Sequence, residues 1–99
     1  MSGYRLTPAA RDDLFGIWAY VAHHNPRAAD KLEADVIAAC EHLAAKPDLG
    51  HWRRDLTVKP VRFYTVRAHY LVVYDPATEP LEILRFFHGA RDVAAELED

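Results

Sequence analysis

The sequence predicts an α+β domain, and two observations predict it. Residues 8–46 carry two stripes of apolar side chains at helical spacing, while residues 61–88 are dense in β-branched and aromatic residues. The two regions follow one another and do not interleave. Helices first and strands after describe an antiparallel helical hairpin laid across one face of a small antiparallel sheet. A short N-terminal strand precedes them and a short C-terminal helix follows.

Taken in order, Tyr4, Arg5 and Leu6 are extended. Thr7-Pro8 then supplies an N-cap with proline at the first helical position, and Asp12 and Asp13 sit in the early turns, where the dipole favours them. Leu14, Ile17, Trp18 and Val21 form one stripe of this first helix, which stops at His23-His24. Asn25-Pro26 caps and launches a second helix, whose stripe is Leu32, Val36, Ala39, Cys40 and Leu43 and whose end is Lys46-Pro47. A link this short makes the two helices antiparallel neighbours.

Residues 47–60 hold Gly50, two prolines and no sustained period, so they form the long connection, with Leu49, Trp52 and Leu56 available to pin it. Residues 61–66 and 70–74 read as a hairpin turning at Arg67-Ala68-His69, and residues 81–88 complete a three-strand meander. In that last strand Leu81, Ile83, Leu84, Phe86 and Phe87 occupy both parities, the mark of a central strand. Gly89 permits a turn, and Ala90, Arg91, Asp92 and Val93 open the final helix. No repeat or linker divides the chain, so residues 1–99 are expected to form a single domain.

Composition narrows the class further. A hydrophobic content of 51% excludes disorder, and no apolar run approaches the roughly 20 residues of a membrane span. Cys40 is the only cysteine and no charged-then-apolar leader precedes Tyr4, which together point to the cytoplasm. The net charge of −3 conceals a basic middle: between His51 and Tyr74, five cations (Arg53, Arg54, Lys59, Arg62, Arg67) face Asp55 alone, a net +4. From Asp75 onward seven acids face Arg85 and Arg91, a net −5. A basic middle suits an acidic partner or a phosphate chain, unless the two regions neutralise each other within the domain.

Six histidines invite a metal, yet none is spaced as a ligand pair, and Cys40 falls on a buried stripe unsuited to a nucleophile. Phosphate loops, dinucleotide fingerprints and G-x-S-x-G are lacking, so no metal and no cofactor is expected. The remaining candidates are Lys59, Arg62, Arg67, Arg85, His88 and Arg91, with Tyr64 and Tyr70 nearby in the sheet. RNA cleavage by 2′-hydroxyl attack needs an acid, a base and cations around the phosphorane, and such groups could supply them. Equally, the cations could pair with acids and serve only the fold.

The ending I-L-R-F-F-H-G-A-R-D, at residues 83–92, resembles the C-terminal signature of the ParE branch of the RelE/ParE toxin superfamily. L-T-P-A-A at residues 6–10, Ile17-Trp18, K-P-D-L-G at 46–50, V-R-F-Y-T-V at 61–66 and Y-L-V-V-Y at 70–74 extend the likeness in the same order. The resemblance implies the RelE/ParE-like α+β fold and a toxin of a type II toxin–antitoxin module, of the kind that stabilises plasmids. It implies growth inhibition held in check by a cognate antitoxin, ParD-like with a ribbon-helix-helix DNA-binding domain, and DNA gyrase as the target. Direct DNA binding and membrane association are not expected of the chain itself. RelE relatives instead cut mRNA on the ribosome and tend to carry further acid/base groups near the C-terminus, often a tyrosine. Here nothing after Gly89 is Tyr, His or Lys.

The resemblance therefore implies a protein-binding toxin without catalysis, with Arg85, His88 and Arg91 on the target. The alternatives are a ribonuclease using Arg62, Arg85 and His88, or a degenerate, non-toxic member. Antitoxin contacts are expected at Phe63, Tyr64, Tyr70, Leu71 and Val73, on a sheet face that one helical hairpin would leave open.

Overall fold

A computed structural model describes residues 3–89 and 93–97. The elements run β1 (Tyr4–Leu6), α1 (Pro8–Ala22), α2 (Pro26–Ala45), a single 3₁₀ turn (Pro47–Leu49), β2 (Arg62–Val66), β3 (Tyr70–Asp75), β4 (Leu81–His88) and α3 (Val93–Leu97). Both capping expectations are met. Thr7 Oγ1 accepts the Ala10 amide at 3.1 Å, and Asn25 Oδ1 accepts the Ala28 amide at 3.1 Å. The Thr7 hydroxyl also donates to the Leu84 carbonyl at 2.8 Å, so one side chain starts α1 and stitches it to β4.

The strands lie in the order β1-β4-β3-β2, which makes β4 internal, as its doubly apolar pattern requires. β2, β3 and β4 form the antiparallel meander, whereas β1 pairs in parallel with β4 from Tyr4↔Leu81 to Leu6↔Ile83. The sheet is thus mixed, not antiparallel throughout. Local pattern could not show this, because β1 and its partner lie at opposite ends of the chain.

The α1–α2 hairpin covers one face. Leu14, Leu32, Val36, Cys40 and Leu43 pack there against Val72, Tyr74, Leu81, Ile83 and Phe86. The expectation that the other face stands open is overturned. Val93 and Leu97, one turn apart on α3, close a second core with Val61, Phe63, Leu71 and Val73. Phe63, Leu71 and Val73 retain only 2, 6 and 0% exposure. Tyr64 and Tyr70 pack on the helical face and stay half-buried, so the five expected antitoxin contacts do not share one surface.

A bulge sets which β4 residue faces where. Val73 pairs with Arg85 and Tyr74 with Ile83, leaving Leu84 as the extra residue. Ile83 and Phe86 consequently both face the helices, while Leu84 turns to the second core.

The long connection is held differently from the expectation. Leu49 and Trp52 remain 37 and 43% exposed, and only Leu56 turns inward. The main anchor is Tyr74, whose hydroxyl donates to the Pro47 carbonyl at 2.6 Å and accepts the Gly50 amide at 2.8 Å. A Cβ on Gly50 would stand 2.4 Å from that hydroxyl, which explains the glycine. At the β2–β3 turn, Arg67 and Ala68 adopt φ of 54° and 61°, a left-handed pair that Asn-Gly would fill with less strain.

Candidate functional site

The end of β4 gathers the candidate residues, and Arg85 is the most constrained of them. Its Nε donates to Asp13 Oδ2 at 2.6 Å and its Nη2 to Asp13 Oδ1 at 3.1 Å, the two-pronged geometry that suits a guanidinium to a carboxylate. Nη2 also reaches Glu96 Oε1 at 3.3 Å, and the guanidinium lies 4.9 Å from the Phe87 ring centre. These contacts raise the Arg85 pKa, the Asp13 hydrogen bonds most of all. Asp13 Oδ2 additionally accepts the Phe86 amide at 3.0 Å. Two ion pairs on one guanidinium thereby tie α1, β4 and α3 together. From the sequence, Asp13 is legible only as an acid near a helix start; its role as a clamp depends on contacts more than seventy residues away.

His88 is exposed at the tip of β4 and stacks on Tyr70, with ring centres 4.7 Å apart and planes at 18°. Arg62 lies elsewhere. It donates to the Gly50 carbonyl at 2.7 Å and sits 4.4 Å over Trp52, with its Nε buried and unpartnered among the described residues. Arg62 pairs with Tyr74 and His88 with Tyr70, at opposite ends of β3, which places them on the order of 13 Å apart along the strand direction alone. The structure does not bring Arg62, Arg85 and His88 together. Arg91 lies outside the described residues.

The basic middle is largely engaged internally. Arg67 pairs with Asp35 at 2.7 Å and Arg53 with Asp55 at 2.8 Å, while Arg54 Nη1 donates to the Val58 carbonyl at 3.1 Å. Cys40 is buried, and burial pushes its thiol up to about 12, so it packs and does not react. Among the described residues no group of three His, Cys, Asp or Glu side chains is placed to hold a metal. Nor is any described helix long and apolar enough to cross a membrane.

The sequence reading missed a groove of about 420 Å³ between α1 and the end of β4, lined by Asp12, Gly16, Tyr20, Tyr70, Phe86 and His88 among others. It also missed the aromatic outer surface of α1, where Phe15 and Tyr20 are 69 and 70% exposed. The only sequence signal for either was that α1 carries large apolar residues off its core stripe.

A small α+β domain with this mixed sheet and helical hairpin matches known proteins. The family described as "ParE toxin of type II toxin-antitoxin system, parDE" matches residues 4–93. The chain belongs to this family of type II toxin–antitoxin toxins. Among solved structures it resembles one titled "Chromosomal ParDE TA system from P. aeruginosa", with a TM-score of 0.71 and 24% identity over 90% of this chain and 97% of that one. No curated protein matches. The membership rests on this match and not on an open sheet face, which the structure lacks.

Proposed function

We propose that the chain is a toxin that acts by binding, that a cognate antitoxin neutralises it, and that DNA gyrase is its target. The observation that carries the binding reading is the state of Arg85. The cation at the centre of the candidate ribonuclease trio is neutralised by Asp13 and Glu96, and the other two members lie at opposite ends of β3. A phosphorane needs cations free to meet its developing charge, and among the described residues this arrangement offers none at the His88 end.

Target contact is assigned to His88, exposed on its Tyr70 platform at the end of β4, and to Arg91, three residues on in the sequence; Arg85 contributes by fixing the strand. Tyr64 and Tyr70 are the antitoxin contacts of this reading, while Phe63, Leu71 and Val73 act by holding the sheet in shape. The antitoxin is ParD-like, a ribbon-helix-helix protein encoded beside the toxin, and the pair works in the cytoplasm.

The test is expression of the chain with and without the neighbouring reading frame, followed by supercoiling assays with purified gyrase. Growth arrest relieved by the neighbour, together with inhibited supercoiling, is expected. Ribosome-dependent cleavage of mRNA with gyrase unaffected would replace this reading with the ribonuclease one. Unimpaired growth in the absence of the neighbour would mark a degenerate member.

A further inference from the structure

The helical hairpin closes the first core with one side and leaves a groove open on another. This groove, of about 490 Å³, opens between α1 and α2 at the end of β1, with Leu6, Leu14 and Ile37 as its floor and Phe15 and Trp18 along its wall. Phe15 is exposed at a helix position where alanine or a polar residue would serve the fold better. Its ring stacks on Trp18, with centres 6.4 Å apart and planes at 21°, and the Trp18 indole N–H donates to Asp30 Oδ1 at 2.9 Å. Both rings are therefore held in place before a partner arrives, which lowers the ordering cost of association.

The rims carry one charge of each sign. Arg11, one turn before Phe15, stands on the α1 rim, and Glu33, one turn beyond Asp30, stands on the α2 rim; both are exposed. Neither side chain has a hydrogen bond or ion pair among the described residues, whereas Arg5, Arg53, Arg54, Arg62, Arg67 and Arg85 all bond within the chain. A neutral rim does not select a strongly acidic or basic partner. It suits a surface that meets itself. Two copies related by a twofold axis in the interface, crossing the line from Arg11 to Glu33 at its midpoint and at right angles, bring each Arg11 onto Glu33 of the other copy and press the two apolar floors together.

We propose that this face of the hairpin is a self-association surface, on which a second copy of the chain docks as a twofold dimer through Phe15 and Trp18, with reciprocal Arg11–Glu33 ion pairs at the rims. An aromatic centre with arginine beside it is the composition that such faces favour. Exposed ion pairs contribute little affinity, so these two serve mainly to fix the orientation of the copies. Asp12, Gly16 and Tyr20, which line the groove beside β4, project from a neighbouring strip of α1, and the dimer leaves that groove open. The inference stands apart from the antitoxin and gyrase readings.

Sedimentation equilibrium of the purified chain is expected to show monomer and dimer in exchange, with a Kd on the order of 10 μM. Phe15→Ala is expected to weaken the dimer at least ten-fold while leaving the melting temperature of the dilute monomer unchanged or higher, because the ring is exposed there. Arg11→Glu and Glu33→Arg are each expected to weaken self-association at least five-fold. Mixing the two variants, or combining both substitutions in one chain, is expected to restore it to within about two-fold, which a contact between copies produces and a loss of folding does not. A chain that stays monomeric at about 0.5 mM overturns the proposal. If Phe15→Ala then weakens a complex with the product of the neighbouring reading frame, the face belongs to that partner instead. A dimer that Phe15→Ala leaves as tight as before lies on another surface, and one that ignores both charge reversals, or that the mixture does not restore, has another orientation; each of these results also overturns the proposal.

Discussion

The two faces of the sheet are covered by very unequal means. On one side 35 residues of α1 and α2 press Leu14, Leu32, Val36, Cys40 and Leu43 onto the strands. On the other, a five-residue helix contributes Val93 and Leu97. A helix of one turn and a half is not stable alone, so α3 is held by tertiary contacts: two apolar side chains and the Glu96 link to Arg85. Burial is similar on both faces, yet the cost of uncovering them is not. The helical face can open only with most of the fold, whereas the α3 face can open locally.

Predictions that break or sharpen this contrast run from the largest effect downward. Leu43→Ala should cost about 4 kcal/mol of unfolding free energy and Leu97→Ala about 2 kcal/mol, because the site left beneath a short helix collapses more readily. Chemical denaturation of both variants checks this, and equal losses would erase the asymmetry. Gly50→Ala should cost about 2 to 3 kcal/mol by driving a methyl group into the Tyr74 hydroxyl. In a Tyr74→Phe background the same substitution should cost clearly less, which a double-mutant cycle measures.

Asp13→Ala removes the link between the two faces. It leaves the Arg85 guanidinium with Glu96 alone and the Phe86 amide without its acceptor, and should cost about 2 kcal/mol while speeding amide exchange in α3. Unchanged α3 exchange would show that Val93, Leu97 and the Glu96 contact hold the helix without Asp13. Ala68→Gly, at the left-handed turn, should stabilise the chain by about 1 kcal/mol without altering the difference between the faces.

The smallest effect at neutral pH concerns Cys40. Its pKa is raised in the folded chain, from the usual value of 9.0 to about 12, so the folded state holds this proton more tightly than the unfolded one. The resulting stability is complete below about pH 9 and is lost as pH rises toward 12. Tyr74 and Tyr4, both raised chiefly by burial, act in the same direction. Urea titrations across this range should show falling stability, and Cys40→Ala should make the fall shallower from its lower starting point.

What the sequence revealed follows from the range of each interaction. The caps at Thr7 and Asn25, the α2 stripe and the central position of β4 rest on neighbours a few residues apart, and each is found where the pattern places it. The parallel pairing of β1 and the Asp13–Arg85 clamp join residues more than seventy positions apart and leave no local trace. The exposure of Phe63, Leu71 and Val73 was misjudged because parity tells which residues share a face but not what covers it. For the site, the place of His88 at the end of β4 was legible, whereas its exposure was not. The commitment of Arg85 was not, since a charge in a sequence carries no record of its counter-ion.

Leu84 gives β4 one residue more than its neighbour can match, and the strand's two halves are out of phase as a result. A deletion of that single codon would bring Ile83 and Arg85 together opposite Tyr74 and Val73, giving an unbroken ladder with Phe86 still on the helical face. What it would remove is the Leu84 side chain from the second core and the Leu84 carbonyl that accepts the Thr7 hydroxyl. Register in this strand thus survives the loss of position 84, and the cost of that loss falls on the second core and on the start of α1.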